Sequence, residues 1–273
     1  MTELERVPPG VDPSVPSSAR VYDYLLGGKD HVAIDRAVAE KLLAAAPDAR
    51  LVARANRLFL VRAVRHLAEQ GVRQFIDIGA GIPTSPSVHE VAREVSPACR
   101  VIYVDNDPVV RMHAQVLLAD APGVASVQAD LRRPADVLAD PHVTGLIDFD
   151  QPVVVLLVGV LHFVMDEEDP AGIVAAFRRR MAPGSHVVLS HAMAESDPEA
   201  IAQLILATAN TPAQSTFRTR AEVMALFAGF DLLEPGLVPV QDWRVPGDEE
   251  PIPLLEGRPH MRVEGAVARL RTG

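Results

Sequence analysis

QFIDIGAG, residues 74–81, is a short apolar run that ends in two glycines separated by Ala80. Phe75, Ile76 and Ile78 suit a buried strand, and Gly79 with Gly81 lets the backbone turn tightly at its end. Four later stretches repeat the strand pattern: VIYVDNDP at 101–108, ASVQADL at 125–131, PVVVLLVGV at 152–160 and SHVVLSHA at 185–192. The fourth is the most apolar and reads as a central strand covered on both faces. Helical stretches at 87–95, 108–119 and 168–182 lie between them, with a short one over Pro134–Leu138. This alternation predicts an α/β fold built on a doubly wound, mainly parallel sheet.

Outward from that frame, the ends of the chain differ in texture. Residues 1–18 hold four prolines and read as an irregular arm. ARVYDYLL at 19–26 predicts a short helix that ends at Gly27–Gly28. Helical spacing continues over 32–46 and 49–69, the latter with Val52, Ala55, Phe59 and Ala63 along one side. Arg50, Arg54, Arg57, Arg62 and Arg65 fall mostly off that stripe and read as a solvated face. Residues 1–70 are therefore expected to be an arm and helical lid, added to a sheet domain over 71–273. Gly27–Gly28–Lys29 is not a phosphate-binding P-loop, because Asp30 follows the lysine; the segment joins two helices, with Asp30 as the cap of the second. After the sheet come helices at 198–209 and 219–229, the second opened by the capping pair Thr219 and Glu222. Late strands are expected at 236–240 and 261–270, separated by Trp243 and a proline-rich excursion over 246–259.

The strand ends carry acids. Asp77, Asp105 and Asp130 stand at the C-terminal ends of three successive strands, where an open α/β sheet lines its ligand crevice. Asp105 suits the two hydroxyls of a ribose, Asn106 the neighbouring sugar or base edge, and Asp130 an adenine amino group with Leu131 packed on the ring. Asp107, before Pro108, suits a helix cap. Thr84 occupies the third position of a G-x-G-x-x-G pattern, and Pro83 departs from it further. Asp77 is an awkward neighbour for a dinucleotide's pyrophosphate. It suits a cofactor with a positive ammonium group, as in S-adenosyl-L-methionine.

The stretches ARVYDYLLGGKDH, ARANRLFLVRAV, FIDIGAGIPT, VHEVA, VIYVDNDPVV, ADLRRP, IDFDQPVVVLLVGVLHFV, APGSHVVLSHA and EPGLVPV run from about Ser17 to Val240. Through them the chain resembles the actinobacterial S-adenosylmethionine-dependent methyltransferases once grouped as a domain-of-unknown-function family. The resemblance implies a class I methyltransferase fold: a Rossmann-like, seven-stranded sheet whose last strand runs antiparallel. It implies cofactor binding near Asp77, Gly79, Gly81, Asp105, Asn106, Asp130 and Leu131. Threonine and leucine are frequent in that family where this chain has Ala80 and Ile82.

Methyl transfer from a sulfonium needs alignment and protection from water, not a metal or a covalent intermediate. No metal-binding spacing such as H-E-x-x-H is present. His162 after the fourth strand and His191 after the fifth are candidate catalytic bases, and Tyr22 is the candidate crevice-facing residue of the lid. The leading expectation is transfer to oxygen or nitrogen of a small metabolite. A cofactor-binding regulatory protein and an NAD-linked oxidoreductase are the alternatives.

Composition narrows the partners. The formal charge of −10 disfavours a broad nucleic-acid or anionic-membrane surface. Cys99 is the one cysteine, so no intrachain disulfide can form. The start MTELERVPPG lacks the apolar core of a signal peptide, and PVVVLLVGVLHFVM at 152–165 is too short to span a bilayer. A cytoplasmic protein is expected.

Overall fold

Alternation along the strands sets the layers of the fold, a computed structural model that describes residues 12–117, 121–244 and 260–271. In β1 (Gln74–Ile78), Ile76 and Ile78 join one core while Phe75 joins another. In β4 (Val154–Val158), Val155 and Leu157 join the first and Val154 and Leu156 the second. Both faces of the sheet are thus covered, as their continuous apolar sequences require.

One cover is made by α3 (Ala49–Glu69) and α4 (Val88–Val95), which pack on each other and on this side of the sheet. Phe59, Ala63, Val64 and Leu67 of α3 are fully buried there, with Trp243 in edge contact with Phe59. The opposite cover uses α6 (Pro134–Ala139), α7 (Pro141–Leu146), α8 (Pro170–Arg178) and α10 (Arg220–Leu226). Alongside β3 (Val124–Gln128) and β2 (Arg100–Asp105) runs α5 (Pro108–Leu117). Three further helices, α1 (Ser18–Leu26), α2 (Ala33–Ala45) and α9 (Pro198–Thr208), share a separate apolar cluster around Val38, Leu42 and Leu204.

With β5 (His186–Ala192), β6 (Phe230–Leu232), β7 (Val238–Pro239) and β8 (Val263–Leu270), the sheet has eight strands in the order β3-β2-β1-β4-β5-β8-β6, and β7 also pairs with β8. The parallel strands β1 to β5 and the antiparallel β8 agree with the expected class I arrangement. The edge departs from the sequence reading in detail. FDL at 230–232 pairs with β8, although the sequence pattern ended in a helix at 229; the expected strand over 236–240 keeps only Val238 and Pro239. Leu233 N–H still bonds Val267 O, and Val240 N–H bonds Val263 O, so β6 and β7 lie along one edge of β8. Pro235, which has no N–H, and Gly236, at φ +88°, interrupt that edge between them. Residues 1–11 of the arm and the whole proline-rich excursion over 246–259 lie outside the described residues.

Local signals account for the helix ends. Ser87 and Glu90 form the capping box of α4, and Thr219 and Glu222 that of α10. Gly27 closes α1 at φ +88°. Asp30 does not cap α2: Asp35 accepts the Val32 N–H instead, and Asp30 pairs with His113 at 3.5 Å. The double-glycine loop is tied by Asp23, whose carboxylate accepts Asp30 N–H at 2.9 Å and contacts His31 Nδ1 at 3.0 Å. A side chain at Gly28 would overlap that carboxylate.

Candidate active site

Strand order reverses between β2 and β4, on either side of β1, so a crevice opens at the C-terminal ends of these strands. The cavity there is about 490 Å³, and Asp77, Gly79, Gly81, Asp105, Asn106, Asp130, Leu131 and Tyr22 all line it. Residues distant in sequence meet because the parallel register aligns Asp77 with Tyr103 on one side and Leu156 on the other.

The glycine turn is stitched to the second strand. Gly79 N–H bonds Val104 O at 2.8 Å, and Gly81 N–H bonds Asp105 Oδ2 at 2.8 Å. Asp105 Oδ1 accepts Asp107 N–H at 2.9 Å. Asp107 in turn caps α5 through Val109 N–H at 2.8 Å and accepts the Ser17 hydroxyl of the N-terminal segment. Residues Val15 to Arg20 also line the cavity, and Arg20 is pinned to the buried Asp35 at 3.0 Å. Burial pushes the Asp105 carboxyl up to about 6 despite the N–H groups of Asp107 and Gly81, which oppose the shift.

Asp77 is the sharper case. It is 4% exposed and sits on the α3 side of β1, the side of Phe75. Burial pushes its carboxyl up to about 7; the nearby Arg57 guanidinium opposes this and Asp105 adds to it. A carboxylate held this way favours a cation in the adjoining space. Asp130 is differently committed: its two oxygens are gripped by the Arg132 guanidinium, and Arg132 also reaches Glu168 at 3.0 Å. Those hydrogen bonds hold the Asp130 carboxyl below its usual range.

The three catalytic candidates part company. Tyr22 reaches the cavity, but its hydroxyl is engaged: it donates to Ala53 O at 2.9 Å and accepts from Asn56 Nδ2 at 3.2 Å. Burial pushes the phenol's pKa up, so the ring is a wall and not a proton carrier. Tyr22→Phe is expected to cost about 1 kcal/mol by orphaning Asn56, whereas Tyr22→Ala removes the wall and costs about 3 kcal/mol. Urea denaturation of the two variants measures the difference.

His191 lies away from the cavity lining, fully buried. Its Nδ1–H donates to Ala192 O at 2.7 Å, and Arg218 donates to its Nε2 at 2.8 Å. Both nitrogens are used, burial pushes the imidazole down to about 4, and the ring anchors Arg218. That arginine, 4% exposed, also donates to Leu161 O, Val164 O and Asp166. It thereby ties the single-turn segment Leu161–Phe163 to β5. His162 is carried on that turn and is pushed down to about 3 by burial, with His191 and Arg218 adding to the effect. It is neutral at physiological pH and too weakly basic to store a proton.

Several residues here escaped the sequence reading. Asn56 Oδ1 accepts the Ser190 hydroxyl at 2.6 Å, and Ser190 Oγ accepts Gly159 N–H at 2.9 Å, fixing the loop after β4. An amide one helical turn from Val52 and from Phe59, inside an apolar stripe, was the available signal. Arg57 lines the cavity and donates to Thr84 O and Pro86 O. Arg62 is 3% exposed. The solvated-face reading of the α3 arginines therefore fails at both, and Arg50 stacks over Tyr24 at 4.7 Å.

Residues 5–271 match the S-adenosyl methyltransferase family. A putative methyltransferase from Thermobifida fusca YX is 38% identical, with a TM-score of 0.90 over 98% of this chain and 99% of that one. A DUF574 family protein from Streptomyces avermitilis MA-4680 is also 38% identical, with a TM-score of 0.87 over 95% and 99%. The CurJ carbon methyltransferase, 14% identical, has a TM-score of 0.52 over 96% of this chain and 62% of its own, a likeness of fold. No curated protein matches the chain. With a family match over nearly its whole length, the chain belongs to the S-adenosyl methyltransferase family.

Proposed function

We propose that this S-adenosylmethionine-dependent methyltransferase acts on an oxygen or nitrogen of a small molecule. The observation that carries the reading is a pair of adjoining cavities, one lined by strand-end carboxylates and one apolar, with Tyr22, Asn56, Gly159 and Phe163 common to both. A cofactor space and a separate acceptor space of limited size suit a small acceptor better than a protein chain. The formal charge of −10 gives no support to a nucleic-acid acceptor.

The residues fit the cofactor. The Asp77 carboxyl, buried beside the cavity and raised to about 7, gains from an ammonium group near it. Asp105 retains lone pairs for a ribose diol beyond the two N–H groups it accepts. Beyond Gly81, nothing stands within 4 Å of where a side chain would begin, which leaves room for close approach. Leu131 offers an apolar surface to a base, and Asp130 can meet it only while shared with Arg132.

Bound there, the cofactor supplies a sulfonium methyl, whose carbon the acceptor's lone pair takes while the carbon–sulfur pair stays on sulfur. The chain's part is alignment and exclusion of water. The Ser17–Arg20 segment and Tyr22 cover the mouth, and the Gly159 loop, held through Ser190 and Asn56, sets the border between the two spaces. The acceptor's own proton is released to bulk water as the product leaves the site, since the buried imidazoles are poor bases.

Among the described residues no helix is long and apolar enough to cross a membrane. A cytoplasmic site of action belongs to this proposal, supported by a lone, buried, unpaired Cys99. The test is transfer of labelled methyl in cell extract separated by size. Label in the low-mass fraction is expected; label confined to protein or nucleic acid overturns the small-molecule reading.

A further inference from the structure

Beneath α1, α2 and α9 lies the second cavity, about 120 Å³. Val21, Leu25, Leu42, Leu204 and Phe217 are among the apolar residues of its wall, and His162 borders it without bordering the first cavity. Nδ1 of His162 is buried and has no hydrogen-bond partner among the described residues. Such an atom costs stability until something in the structure or a ligand pairs with the ring. His162 also lies beside Phe163, with ring centroids 4.3 Å apart, and Phe163 borders both cavities. A group held by this imidazole therefore sits near the border, not at the far end of the apolar space.

Size and charge narrow the occupant. An apolar cavity of about 150 Å³ is known to stay dry and take benzene, so the space here is on the scale of one ring. Burial pushes the imidazole down to about 3, so it offers a neutral hydrogen bond. A carboxylate or ammonium would be desolvated against an apolar wall with no opposite charge lining it. We propose that this chamber seats the methyl acceptor, a neutral single-ring molecule of phenol or aromatic-amine type whose one polar group meets His162. The proposal rests on the small-molecule methyltransferase reading above and adds to it the chemical class.

Calorimetric titration of phenol and of toluene, which has the ring without the hydroxyl, tests the proposal. Each is added to the protein alone and to protein saturated with S-adenosylhomocysteine. Phenol is expected to bind about tenfold more tightly than toluene. His162→Phe, which keeps a ring at that place, should erase the difference and leave toluene unchanged. Ala207→Phe, at a half-buried position of α9 on the chamber wall, should abolish both while S-adenosylhomocysteine still binds. Equal binding of phenol and toluene, or phenol binding that survives Ala207→Phe, overturns the assignment. Failure of S-adenosylhomocysteine to bind the wild-type protein is a separate result: it removes the cofactor reading, while the phenol titration without it still decides the chamber.

Discussion

Asp77→Asn is expected to weaken cofactor binding at least 100-fold while making the ligand-free protein more stable. Both effects come from one buried carboxylate. With the cofactor's ammonium beside it, the charge is paired; removing one partner of such a pair costs about 3 kcal/mol, or roughly 150-fold in affinity. Without ligand, the same charge sits 4% exposed and is raised by burial to about 7. Relative to an unfolded value near 3.9, that is a penalty of roughly 4 kcal/mol at pH above 7.

The sign follows from proton binding. Between about pH 4 and 7 the folded state holds the Asp77 proton and the unfolded state does not. Stability therefore falls as pH rises through this window, and the full penalty is present above 7. Asp105, raised to about 6, adds in the same direction over a narrower range. Scanning fluorimetry of the ligand-free wild type should show a falling melting temperature from pH 5 to 8, and Asp77→Asn should flatten most of that slope. Cofactor affinity should move oppositely, weakening as pH drops below 7 because the ammonium needs the ionised form. An Asn variant that binds within threefold of wild type removes Asp77 from the cofactor site.

The strand-end cavity was more legible from sequence than the apolar chamber beside it. Gly79, Asp105 and Asp107 act within a strand–turn–helix unit, so spacing along the chain reports on spacing in space. Four of the five parallel strands were readable from their apolar runs, and β3, with Ser126 and Gln128, from its place between turn signals. The three-residue β6 was not, because FDL carries no periodicity and is strand only by pairing with residues 268–270. The surroundings of that chamber are assembled from distant pieces. Ser190 and Asn56 are 134 positions apart, and Arg218 and Leu161 are 57 apart. His162 and His191 looked alike in sequence, each at the end of an apolar strand. Arg218 separates them, since it occupies His191 Nε2 and leaves His162 beside the chamber.

Gly79→Ala is expected to destabilise the protein by about 3 kcal/mol and to abolish cofactor binding. Two costs combine. Gly79 lies at φ +69°, where a side chain costs about 1 kcal/mol, and its new methyl would fall 2.3 Å from Val160 Cγ2 and 2.8 Å from Val160 Cβ. Val160 is branched and 7% exposed, so it cannot swing aside, and such overpacking costs about 2 kcal/mol. Gly71→Ala is the control for the first cost alone: its φ is +94° with nothing within 4 Å, and a loss of about 1 kcal/mol is expected. Val160→Ala removes the nearer contact, Cγ2, and leaves Cβ, at its own cost of about 2 kcal/mol. Combined with Gly79→Ala it should therefore be less destabilising than the sum of the two single changes, by about 1–2 kcal/mol. Binding should stay impaired in the double variant, since the turn that brings Gly81 N–H to Asp105 remains strained. Additivity of the two changes in urea denaturation would mean that the Val160 γ-methyl is not what requires glycine in IDIGAG.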